Sequence, residues 1–138
     1  MKRIVLFAFL LFCACSCKKE TPQEMLMGTW EVSVKSVFKG NIGTTDAEKE
    51  YDEGIWYFTF DDGRGRYLKK DDEKTRTNFK YQYYNELGSI LYETNNRSGE
   101  WFVDVLTKNT IVFHAESESS FGGIKLATTT TYSGKKLQ

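Results

Sequence analysis

Proline is almost missing from this chain: the single example, Pro22, precedes every strand-like segment. Proline removes a ladder donor, so its absence from residue 23 onward leaves a sheet unobstructed. Histidine is as scarce, with His114 alone, and the three cysteines all lie at positions 13, 15 and 17. A His/Cys metal centre therefore has too few donors. Net charge is lacking too. The 19 basic and 19 acidic side chains give no basic excess for a phosphate backbone, which excludes nucleic acid as a partner. What the chain has is aromatic residues, 15% of 138. That is enough to fill one domain core and is unlike a disordered composition.

The first 16 residues differ from the rest. Lys2 and Arg3 give a positive start, Ile4 to Phe12 form an unbroken apolar run, and Lys18-Lys19-Glu20 turns polar again. This is the plan of a secretory signal peptide, and its run is about half the roughly 20 residues that span a bilayer. Its end, Ala14-Cys15-Ser16-Cys17, resembles a bacterial lipobox, in which a small residue precedes a cysteine that is lipidated. Cys17 is the better match, with Ser16 before it and Ala14 at the third position upstream; Cys15 is the alternative, with bulky Phe12 at that place. Cleavage before Cys17 removes 16 of the 138 residues and leaves 122, in which 17 basic side chains face 19 acidic ones. The only remaining thiol would carry the lipid, so no disulfide would staple the fold. The expected organisation is a leader over 1–16, a tether over 17–24 and a single domain over 25–138. The expected location is the outer membrane, held by the lipid, on the periplasmic or the surface side.

From Gly28 onward the apolar residues alternate by two, the period of a strand with one buried face. Trp30, Val32 and Val34 share a face, as do Trp56, Phe58 and Phe60, then Phe79, Tyr81 and Tyr83, Ile90 and Tyr92, and Trp101, Val103 and Val105. Ile111 and Phe113, then Leu126, Thr128, Thr130 and Tyr132, complete the set. Turn-forming stretches such as Asp61-Asp62-Gly63 and Asn95-Asn96-Arg97-Ser98-Gly99 separate these segments. The eight strand starts are expected near 29, 55, 66, 77, 89, 100, 110 and 125. From the second start to the seventh the spacing is short and even, which leaves no room for crossover helices and predicts an antiparallel meander. Eight strands suffice to close an up-and-down barrel whose interior holds side chains or one small ligand. The long stretch from Lys39 to Gly54 reads as a loop, with a short helix over 46–51 as a lid or as an insert without structure.

Chemistry finds little foothold. His114 should point away from Ile111 and Phe113, and no thiol nucleophile accompanies it. Asp61-Asp62 and Asp71-Asp72-Glu73 fall in turns, where carboxylates are solvated rather than held across a cleft. No phosphate-binding, nucleophile-elbow or zinc-protease motif occurs. No catalytic residue, cofactor or metal is expected. What remains is a binding argument. Either aromatic side chains fill the interior, or Trp56, Phe58, Tyr81, Tyr83, Tyr92, Thr128 and Thr130 line a partly open end that takes a small apolar molecule. A filled interior would instead suit a module that meets an unknown protein partner through loops or outer faces.

Gly28-Thr29-Trp30, after the short apolar turn Met25-Leu26-Met27, resembles the G-x-W start of the lipocalins. The aromatic strand ending in Asp62-Gly63 and the late strand led by Trp101 are similar to small lipocalin-like domains of Gram-negative lipoproteins. The resemblance covers nearly all of 25–138 and implies an eight-stranded barrel whose base is closed by Gly28 and Trp30. A T-D-Y-like second motif is missing. No arginine stands near the last strand to cover the tryptophan, though Lys135 or Lys136 is placed to do so, and no C-terminal helix is expected. Replacement of Cys17 by Ala should release the protein from membranes. Fractionation in which Cys17→Ala stays bound while Cys15→Ala is released would move the attachment to Cys15.

Overall fold

A computed structural model describes residues 20–42 and 45–137; the leader, Cys17 and most of the tether lie outside the described residues. The chain forms a short helix, α1 (Pro22–Leu26), and eight strands: β1 (Gly28–Ile42), β2 (Thr45–Phe60), β3 (Arg64–Lys69), β4 (Asp72–Tyr84), β5 (Ser89–Glu93), β6 (Ser98–Leu106), β7 (Thr110–Phe121) and β8 (Ile124–Lys136). Each strand pairs antiparallel with the next, and β8 returns to β1, so the sheet closes as an up-and-down barrel. This is the eight-strand meander expected from the spacing, and no helix follows β8. The helix α1 takes in residues of the stretch expected as tether. Thr21 caps it, accepting from the Glu24 N–H while its own N–H donates to the Glu24 carboxylate, and Pro22 occupies the first turn.

Alternation places the rings inside. Trp30, Phe58, Phe60, Phe79, Trp101 and Phe113 are each at most 4% exposed. Phe58 sits at the centre, with Phe60, Tyr67, Trp101, Phe113 and Tyr132 all within 6.3 Å between ring centres. Trp101 is stacked on Tyr92 at 3.9 Å. Burying each of these side chains is worth roughly 1.5–3 kcal/mol, and edge-to-face pairs add about 0.5–1.5 kcal/mol each. The outer wall is polar: Arg66, Asn78, Lys80, Gln82, Glu93, Glu100 and Asp104 are exposed.

Two expectations are corrected. The stretch 39–54 is not a helical lid. It completes β1 and opens β2, which pair from Gly28↔Phe60 out to Ile42↔Thr45. The alternation Asp46, Glu48, Glu50, Asp52 against Ala47, Lys49, Tyr51 belongs to a strand with two solvent-accessible faces, and its charge disguises it as a loop. Second, Val105 does not face inward: it is 42% exposed, and Leu106 packs on the core instead. The register shifts between Val103 and Val105, and one extra residue in a strand reverses which face every later side chain takes.

Close packing also dictates glycine at one point where strands meet. A Cβ on Gly134 would lie 2.7 Å from Val32 Cα, backbone that cannot yield. Gly134→Ala should therefore destabilise the barrel by about 1–3 kcal/mol. Ser133→Ala, one residue away and exposed, should change the melting temperature little. Equal melting temperatures for the two variants would contradict the close approach of β8 and β1.

Candidate functional site

The base of the barrel is sealed. Trp30 is fully buried and its indole N–H donates to the Leu26 carbonyl at 2.8 Å. Lys136 lies over the same indole, 4.8 Å from the ring centre, and its ammonium donates to the Met25 carbonyl at 2.7 Å. Lys136 thus covers the tryptophan from the end of β8. Partial burial holds its pKa below the ordinary lysine value, Glu20 opposing that fall and Lys108 adding to it. Tyr81 is at the same end. Its hydroxyl accepts from the Gln23 amide at 2.9 Å and donates to the Asp61 carbonyl.

The opposite end is built differently. Trp56, Tyr67, Tyr92 and Tyr132 pack against the core from above. Arg97, from the turn between β5 and β6, donates to the Tyr67 hydroxyl at 3.2 Å. Tyr132 is stacked on Phe113 at 4.5 Å. Burial, reinforced by Tyr92 and Tyr67 and opposed by Arg97, pushes the Tyr132 phenol up to about 12. Burial also raises Tyr92, with Arg97 working against it.

Beyond this tyrosine layer the sheet continues. The β1–β2 and β7–β8 hairpins extend past the barrel as one four-stranded sheet, ordered β2-β1-β8-β7. The register stacks its inner face in rows: Tyr51, Ser36, Thr130 and Ala115; then Lys49, Phe38, Thr128 and Ser117; then Ala47, Gly40, Leu126 and Ser119. Ser36 and Thr130 share a hydrogen bond at 3.1 Å, and Phe38 meets Tyr51 edge-on at 5.2 Å. An open depression of about 880 Å³ spans all four strands at the far end, lined by Gly40, Ala47, Ser119 and Leu126 among others. Two further depressions, of about 570 and 620 Å³, lie on the outer wall. All three are outside the barrel interior.

The seven residues expected at a ligand site are thus divided. Phe58 is inside the aromatic core. Trp56 and Tyr92 belong to the layer that caps it, Thr128 and Thr130 to the inner face of the extension. Tyr81 is at the sealed base, and Tyr83, partly buried, pairs with Ile90 toward that end. Phe38, Ser36, Tyr51, Tyr67 and Arg97 were not anticipated. Phe38 and Ser36 continue the Trp30-Val32-Val34 alternation, a signal that ends only where charged residues begin to dominate. His114 faces outward as expected, between Asp104 (Nδ1 to Oδ2, 2.6 Å) and Glu116 (Nε2 to Oε1, 3.3 Å), with its ring against Phe102. Among the described residues no group of three ligating side chains is arranged to hold a metal.

No family model and no curated protein sequence matches this chain. Among solved structures, the crystal structure of Ail, the attachment invasion locus protein of Yersinia pestis, is similar at 11% identity and a TM-score of 0.43. The match covers 80% of this chain and 99% of that one. A structure of the same protein in complex with the heparin analogue sucrose octasulfate matches with the same values. The likeness is one of barrel fold.

The tyrosine layer makes a pH prediction. A phenol that ionises near 10 when unfolded and near 12 at Tyr132 when folded keeps its proton longer in the native state. The stability it contributes is fully present below pH 10 and lost as pH rises from about 10 to 12. Denaturant titrations at these pH values should show the loss, and Tyr132→Phe should make it shallower. An unchanged slope in that variant would remove Tyr132 as its source.

Proposed function

We propose that this chain is a non-enzymatic cell-envelope lipoprotein, anchored through Cys17 at the outer membrane, that works as a protein-interaction module through its sheet extension. The observation that carries this reading is the contrast between the two parts of the inner face. Within the barrel its core is filled by rings at most 8% exposed, with the partly buried Trp56, Tyr67, Tyr92 and Tyr132 packed against them; on the extension it is open and small-residue rich. This filling supports the interaction reading over a small molecule held in the barrel. A lipocalin-like ancestry accords with the base, where Trp30 is closed off by the helix and covered by a cation.

The polar wall supports attachment by lipid rather than by the strands. A lipid-facing Arg or Lys costs a membrane-spanning barrel about 2–4 kcal/mol at the bilayer midplane, and such barrels are apolar outside and polar within. This barrel has the reverse polarity. Acyl chains contribute about 0.8 kcal/mol per buried methylene, so several of them suffice as an anchor. Among the described residues no helix is long and apolar enough to cross a membrane.

The test has two arms. A photo-reactive residue placed at Tyr51 or Phe121, both exposed on the extension, should give discrete protein adducts in intact envelopes, while one at Lys80 or Glu100 on the wall should not. Native mass spectrometry after mild extraction should give the bare lipoprotein mass. A reproducible extra mass lost on denaturation, without adducts from the extension, would reinstate the small-ligand reading.

A further inference from the structure

Among the described residues the extension has two unpaired strand edges. β3 pairs with β2 only from Trp56 to Phe60, and Lys70 closes the pairing by donating to the Ile55 carbonyl at 2.9 Å. From Asp46 to Gly54 the outer edge of β2 has no strand neighbour among the described residues. β6 likewise pairs with β7 only as far as His114, leaving Ala115 to Phe121 without a neighbour on that side among the described residues. An unpaired edge presents a row of backbone N–H and C=O groups that an incoming extended segment satisfies by adding a strand.

The two edges differ in what stands beside that row. On β2, Asp46, Glu48, Glu50 and Asp52 occupy alternate positions, so all four project to one face, and all are exposed. Lys39 and Lys35 stand opposite Glu48 and Asp52 in the β1 register. Yet among the described residues the ion pairs are Arg76–Glu73 and the two made by His114, none of them on this ladder. The other face carries Ala47, Lys49 and Tyr51, with the Lys49 ammonium 4.9 Å from the Tyr51 ring centre. The free edge of β7 has only Glu116 and Glu118, and Glu116 already faces His114. The β2 edge ends at a bulge, where Gly54 has φ +86° and its N–H donates to the Asp52 carboxylate at 2.9 Å.

We propose that the β2 edge, residues 46–52, binds by strand addition an extended segment of a partner protein that carries Lys or Arg at every second position. This rests on the interaction reading above and names the partner's chemistry. Side chains on one face of an added strand repeat every second residue, so alternate cations meet the four carboxylates at cross-strand distance while the backbone completes the ladder. A second copy of this chain is the wrong occupant, because pairing β2 with itself sets carboxylates against carboxylates.

The experiment uses the intact protein in detergent and two synthetic peptides of one composition. In one, four lysines alternate with threonine and valine; in the other the four lysines are contiguous. The alternating peptide should bind at least about tenfold more tightly and should slow hydrogen exchange at alternate amides between Asp46 and Asp52. The double variant E48K/E50K should weaken it by about tenfold while keeping the parent melting temperature. Equal binding of both peptides would reduce the effect to bulk electrostatics and overturn the proposal, as would protection on β7 in place of β2. Envelope cross-links from Tyr51 that persist while the peptides fail would refute strand addition alone; absence of both would refute the interaction reading with it.

Discussion

An eight-stranded barrel encloses a space only just wide enough for side chains, and here Phe58 and Trp101 occupy its centre. Their rings reach strands on every side: Phe58 meets Tyr67 of β3, Trp101 of β6, Phe113 of β7 and Tyr132 of β8. Closure and filling are therefore one event. A strand that failed to close would leave rings in water, and a smaller ring would leave a void that rigid neighbours cannot collapse into. The same filling explains why glycine stands where strands approach most closely, as Gly134 does against Val32.

The two ends of this column are finished by different means. At the base, α1 lays Leu26 over the core and offers its last carbonyls as acceptors, one to the Trp30 indole and the neighbouring one to Lys136. A helix end normally leaves such carbonyls to water; here a buried donor and a cation use them, so the helix and the last residues of β8 are held by one set of contacts. At the mouth no helix among the described residues covers the rings. Tyrosines do so, because a phenol presents an apolar face to the core and a hydroxyl to the rim, and Arg97 ties one of those hydroxyls down.

Much of this was legible in the residues. Turn chemistry at nearly constant intervals gave the strand count, and alternation gave the inner face of most strands. Both signals are local, which is why they survive without knowledge of the fold. Three things were not legible. The bulge at residues 103–105 is a property of the pairing of β6 with β7, and nothing in Val103-Asp104-Val105 announces it. Tyr67 lies on a short strand between charged turns, with too few residues to show a period. The extension reads as a loop because strands normally betray themselves by burying one face; where both faces meet water, the sequence turns polar. The ligand set failed to converge for a related reason: alternation tells which side of the sheet a residue takes but not its height along the barrel. Tyr81 and Tyr92, opposite each other in register, lean to different ends.

The extension also poses a problem that the closed barrel avoids. Closure removes edges, but continuing four strands past the mouth creates two. A flat, neutral edge would invite pairing with any exposed strand, including a second copy. The carboxylates along β2 suppress that outcome by repulsion and leave the backbone row available to a segment of opposite charge. One feature thus serves solubility and selectivity together: it rejects most strands by charge and accepts few. Among the described residues Asp46, Glu48 and Glu50 form no ion pair, which fits this account better than a purely protective role, since protection alone would be served as well by a Glu48 bridged to Lys39, its neighbour on the adjoining strand.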